Sequence, residues 1–323
     1  MTPTTKLASA GEVACGIDVG FAPVGKTSAV AAFLVQKTIE STRIALAHET
    51  KVLSSTELDK LIERREGPLA DERVRLVTID APVTSTDHTT MPALGRLPDR
   101  RFSRGAFNNS KRGPQPSSIR VPAQGWPLYR RGMAILAQLE SIGFPYVSVT
   151  AAEEVALPLH GTMEVIPKLT LTLLCSRSLL AVARPRSGFF KQIDNWLFSQ
   201  IFTQTGQTDP LALGSKRERL MPLLEPSIEL DATVFTEAAR IDGLATNAEK
   251  HEAIGAFTAG FQGALALAGG ACVVGDEESH FLLPHLWHRD WEEAWLVSER
   301  LAEPARRLRV QSRPTTGRRQ RPS

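Results

Sequence analysis

A chain of 323 residues, 42% hydrophobic and 23% charged, has an ordinary globular composition and enough length for one large core or two modest ones. Its net charge of +3 is unevenly spread: seven arginines and no acid follow Pro304, which leaves a mildly acidic body with a basic tail. Three widely spaced cysteines, Cys15, Cys175 and Cys272, exclude a disulfide framework or a zinc knuckle, and no secretory signal pattern opens the chain, so the expected compartment is cytoplasmic.

Residues 1–11 read as a disordered leader. The apolar run 13–19 predicts a first strand, which carries Asp18 inward within Gly16-Ile17-Asp18-Val19-Gly20. Residues 28–36 and 43–53 predict two more strands, the second with clear alternation. Ser54-Ser55-Thr56-Glu57 then supplies capping residues for a helix through Leu58, Leu61 and Ile62 that ends near Gly67-Pro68. Residues 74–79 predict a fourth strand that delivers Asp80. Three strands before the first helix suit an antiparallel meander joined by parallel strands; a dinucleotide fold would place a helix after the first strand.

Residues 84–124 are rich in Pro, Gly, Ser and Arg and read as a basic insertion. A helix is expected over 125–142, a fifth strand over 145–149 and a short sixth over 163–167, which carries Glu164. Two helices are expected within 188–225, around 189–202 and 216–224. Residues 254–274 hold no charge and are long enough to span a bilayer. Their Gly and Ala content, Gln262 and Gly269-Gly270 instead predict a buried helix over 248–268, then a strand over 271–274. A last helix is expected within 281–301, before a disordered basic tail at 304–323. The domain therefore runs from 12 to 303: an α/β fold, its mixed sheet flanked by helices, with a helical C-terminal half.

Asp18, Asp80 and Glu164 each sit at the end of an apolar strand, where a carboxylate is costly unless paired or bound. Converging acids of this kind suit a hard divalent cation such as Mg2+ or Mn2+. Glu252 opens the apolar helix, whose small residues Ala256, Ala259 and Gly263 would let it lie close to the sheet and bring a fourth carboxylate to the ions. Such a set serves two-metal hydrolysis of a phosphodiester. His251 is placed either to relay a proton or to cap the helix. Nine basic residues and one acid lie between Arg96 and Arg131, and Arg96, Arg100 and Arg104 recur at a spacing of four, as a phosphate-backbone contact requires. Asp99 reads as a structural partner for these arginines. Trp287, Trp291 and Trp295 form a stripe suited to core packing, base stacking or a protein partner. His280, His285 and His288 lack the partners of a zinc site.

Taken in order, Gly16-Ile17-Asp18-Val19-Gly20 with Lys26, Ile79-Asp80-Ala81-Pro82, Arg96-Leu97-Pro98-Asp99-Arg100, Glu164-Val165-Ile166-Pro167, His251-Glu252-Ala253 and Val274-Gly275-Asp276-Glu277 resemble the domain-of-unknown-function family of predicted RNase H-like nucleases. The resemblance covers about residues 12–290. It implies an RNase H-like fold, magnesium or manganese dependence, a nucleic-acid substrate (DNA or RNA), and metal-ligand roles for Asp18, Asp80 and Glu164. Where that family usually carries Asp-Ala, this chain has Glu252-Ala253.

Two other readings stay open on the sequence. The stretch from Gly20 to Thr27 matches the literal P-loop pattern, which would make the chain a nucleotide hydrolase dependent on Lys26, a class to which actin-like folds are neighbours. Against it, 28–36 reads as a strand where a P-loop needs a helix; Lys26 would then contact substrate phosphate near the metals. The other reading is a catalytically inactive RNase H-like module that binds nucleic acid or protein.

Overall fold

The computed structural model describes residues 11–20, 25–84, 122–147, 159–174, 193–203, 228–275, 280–284 and 306–309. The apolar run after Gly11 forms β1 (Glu12–Asp18), which pairs antiparallel with β2 (Lys26–Lys37), and β2 pairs antiparallel with β3 (Thr42–Ser54). Helix α1 (Ser55–Glu63) starts on a complete capping box: Glu57 N–H donates to Ser54 Oγ at 3.2 Å, and Ser54 N–H donates to Glu57 Oε2 at 2.7 Å. β4 (Val74–Asp80) then joins β1 in parallel, and β5 (Gly161–Val165) joins β4 in parallel. The meander extended by parallel strands is therefore present as expected.

Helix α2 (Pro122–Ser141) precedes β5; α3 (Pro167–Leu174) and α4 (Ile193–Phe198) follow it, α4 running on into a π turn over Ser199–Thr203. The chain continues through β6 (Ile228–Leu230), α5 (Ala232–Asp242), α6 (Asn247–Ala268), β7 (Ala271–Gly275), β8 (His280–Pro284) and β9 (Arg306–Arg309). The described strands belong to one mixed sheet, ordered β6-β3-β2-β1-β4-β5-β8-β7-β9. The second half thus supplies sheet strands as well as helices, and β9 lies within the stretch expected as a tail.

Strand alternation divides the core into two layers. Val13, Cys15, Ile17, Val77 and Ile79 pack on the face covered by α1 and α2. Ala14, Ala29, Ala31, Phe33 and Leu76 pack on the opposite face with α6 and the helices beside it. Helix α6 lies unusually close to β1 and β4. A Cβ on Gly16 would fall on the α6 backbone at Ala256 and Gly260, and one on Gly263 would sit 3.0 Å from Thr78 Cγ2. Thr78 Oγ1 bridges the layers by donating to Ala259 O at 2.8 Å. The helix stops at Gly269, whose φ of 86° is left-handed, and Gly270 and β7 follow.

Helix α5 covers part of the exposed edge of β3. Leu46 N–H donates to Thr233 Oγ1 at 3.1 Å, Thr50 N–H to Glu237 Oε1 at 2.6 Å, and Arg240 Nη2 to Thr50 O at 2.7 Å. Side chains thereby satisfy backbone groups that would otherwise template another strand.

One expected strand is not formed. Residues 145–147 form no strand; Tyr146 makes a single bridge to Thr162. α3, β6 and α5 were not anticipated. The arginines 96, 100 and 104, the expected helix at 216–224 and the tryptophan stripe lie outside the described residues. Among the described residues, no helix is long and apolar enough to cross a membrane.

Candidate functional site

Asp18 ends β1 and Asp80 ends β4, and the parallel register sets them side by side. Their neighbours Ile17, Val19, Ile79 and Ala81 all face the α1/α2 layer, so both carboxylates face α6. On that side α6 carries Gly255 against Asp18: a Cβ there would lie 2.7 Å from both Cγ and Oδ2 of Asp18. Only a glycine lets the helix come this close, and the closeness brings Glu252, one turn earlier, onto Asp18. The small face read from the sequence therefore works as expected, with Gly255 at its tip.

These residues line a pocket of 430 Å³ together with Asp194 of α4, Lys168 in the first turn of α3, and His251. Four carboxylates from four elements converge, and two cation-capable side chains accompany them. Lys168 Nζ stands 3.8 Å from Asp194 Oδ1, and His251 Nδ1 stands 3.8 Å from Asp194 Oδ2. Both distances are too long for hydrogen bonds, and Asp194 Oδ1 has no hydrogen-bond partner.

The charges repel. Burial raises the Asp18 carboxyl well above its ordinary range, and the Asp80 and Glu252 carboxylates raise it further. Asp80 is pushed up to about 8, by burial first and then by the charges of Glu164, Asp194 and Glu252. Asp194 is raised by burial despite Lys168 and His251. Asp80 and Glu252 thus press on the ionisation of Asp18, and the buried pocket favours the protonated forms of Asp18 and Asp80.

Glu164 stands elsewhere. It lies beside Ile79 in the β4–β5 register, and its neighbours Met163 and Val165 point into the α6 layer, so its side chain faces the opposite layer. Its carboxylate accepts from Val83 N–H at 3.0 Å and is 1% exposed. It fixes the turn just after Asp80 and adds to the field there without lining the pocket. The fourth pocket acid is Asp194, which sequence reasoning missed. Its signal was an acid within the apolar turn Ile193-Asp194-Asn195-Trp196-Leu197-Phe198.

Lys26 does not line this pocket. It begins β2, its side chain is 59% exposed, and it pairs with Glu249 at 3.4 Å. A strand starts at Lys26, where a P-loop requires a helix.

The donor set is all carboxylate oxygen, which suits Mg2+ or Mn2+ rather than a soft metal. Among the described residues, no group of three or more His, Cys, Asp or Glu is positioned to hold an ion as it stands. The fit rests on chemistry instead: Asp18, Asp80, Asp194 and Glu252 bring their carboxylates to one pocket, and Asp194 Oδ1 is buried without a donor. Comparison of the chain with protein-family models, with curated proteins and with solved structures gives no match.

Proposed function

We propose that this chain is a divalent-metal-dependent nuclease that hydrolyses nucleic-acid phosphodiester bonds. Asp18, Asp80, Asp194 and Glu252 would hold Mg2+ or Mn2+. The observation that carries this reading is the convergence of four carboxylates from β1, β4, α4 and α6 on one pocket, where, among the described residues, Lys168 and His251 are the cation-capable side chains beside them. Such mutual repulsion is costly to a fold and is characteristic of functional sites. The strand order β3-β2-β1-β4-β5, with only β2 antiparallel to its neighbours, supports an RNase H-like reading, as does the position of Asp18 on the central strand.

Bound ions would activate the attacking water and stabilise the departing oxygen. The chain's own residues do the positioning. Gly255 and Gly16 let α6 press on β1, which holds Glu252 against Asp18. Glu164 braces the backbone after Asp80 through the Val83 amide. His251, half-exposed beside Asp194, stands where a proton could pass to a leaving group. The basic stretch that begins at Arg96 supplies charge for a phosphate backbone.

The test is cleavage of labelled single- and double-stranded DNA and RNA by wild type and Asp18→Asn, with magnesium, manganese or chelator. Metal-dependent cleavage that disappears in Asp18→Asn is expected. Binding without cleavage, unaffected by chelator, would refute the reading in favour of an inactive nucleic-acid-binding module.

A further inference from the structure

Lys168 occupies a position that local helix chemistry disfavours. It sits in the first turn of α3, next to Pro167, where the helix dipole is positive, and that turn has no acid. Its side chain is only 25% exposed, and its ammonium reaches Asp194 at 3.8 Å without a hydrogen bond. A cation that is half-buried at a helix N-terminus, and incompletely satisfied, breaks the usual pattern; such breaks concentrate at functional positions. Lys168 also lines the same pocket as Asp18, Asp80 and Glu252. Its three donors face a space that carboxylates otherwise dominate.

We propose that Lys168 binds the substrate's phosphate, with its ammonium on a non-bridging oxygen and the first-turn amides of α3 alongside. This rests on the nuclease reading for its substrate class, and adds the pocket's own phosphate-holding residue. An anionic phosphate between Lys168 and ion-neutralised carboxylates satisfies the ammonium and explains a lysine in that turn. The alternative is purely structural: Lys168 would serve only to offset Asp194.

The experiment measures binding of thymidine 5′-monophosphate by calorimetry at fixed Mg2+, with thymidine as the uncharged control, for wild type, Lys168→Met and Lys168→Arg. Mn2+ affinity is followed separately by electron paramagnetic resonance. Lys168→Met is expected to weaken the monophosphate about tenfold, the worth of one charge-assisted hydrogen bond, without lowering Mn2+ affinity or changing the response to thymidine. Lys168→Arg is expected to recover part of the loss. Three outcomes would overturn the proposal: equal monophosphate binding by wild type and Lys168→Met, no monophosphate binding by wild type at millimolar concentration, or a Lys168→Met change confined to Mn2+ affinity or folding. Monophosphate binding that depends on Lys168, in a protein that cleaves no nucleic acid, would keep this site and refute the nuclease reading alone.

Discussion

Replacing Asp80 with asparagine is expected to stabilise the metal-free protein at alkaline pH while removing metal-dependent activity. The Asp80 carboxyl titrates at about 8 in the folded chain against an ordinary 3.8. The native state therefore binds this proton more tightly than the unfolded chain does. Stability of the metal-free protein then falls as pH rises from about 4 through about 8, and the full cost is present above that. Over that interval the linkage amounts to at most about 6 kcal/mol. Asp80 is partly exposed at the pocket, and solvent screening reduces this to about 2–3 kcal/mol. An asparagine keeps the shape of the side chain and removes the charge. In chelator at pH 8.5, Asp80→Asn should melt about 3–4 °C above wild type, and the gap should shrink toward pH 5. Calorimetric melting across that pH range is the assay. A variant that melts at or below the wild type at pH 8.5 would show that the carboxylates are not in electrostatic conflict.

Other outcomes follow from the same structure. Millimolar Mg2+ should raise the wild-type melting temperature, by about 2.7 kcal/mol of stability at a hundredfold excess over the dissociation constant, and should do little for Asp18→Asn. Gly16→Ala places a methyl on the α6 backbone and should cost about 3 kcal/mol or more, read as a collapse of the denaturant midpoint. Ser54→Ala removes the capping box of α1 and should cost about 1 kcal/mol, read as a lowered denaturant midpoint. Glu237→Ala leaves Thr50 N–H without its acceptor and Arg240 without its carboxylate, and should cost about 3 kcal/mol, with increased aggregation as the β3 edge opens.

Much of the frame was legible because local signals and tertiary needs agree there. The capping box at Ser54, the alternation through β3 and the small-residue face of α6 each carry their own physical cause in a few residues. Asp18 and Asp80 were legible because a carboxylate inside an apolar strand is expensive and asks for a reason. Glu164 satisfied the same test and yet points to the other layer. Which face a strand residue takes depends on register with β4, and register is a property of pairing. Asp194 was hidden for the converse reason: a lone acid in a short helix is unremarkable until α4 is seen packed beside α6. Helix α3 escaped notice because nearly all of it is buried, so Leu169, Leu171 and Leu173 alternate with threonines and mimic a strand. Pro167, at the first helical position, was the available cue.

The most direct test of the account is a Mn2+ titration, followed by electron paramagnetic resonance, of wild type, Asp18→Asn, Asp194→Asn and Glu164→Gln. The account predicts that Asp18→Asn abolishes binding, Asp194→Asn weakens it about tenfold or more, and Glu164→Gln leaves it nearly intact. Binding that survives in Asp18→Asn and Asp194→Asn but disappears in Glu164→Gln would place the metal on the other face of the sheet and contradict the site described above.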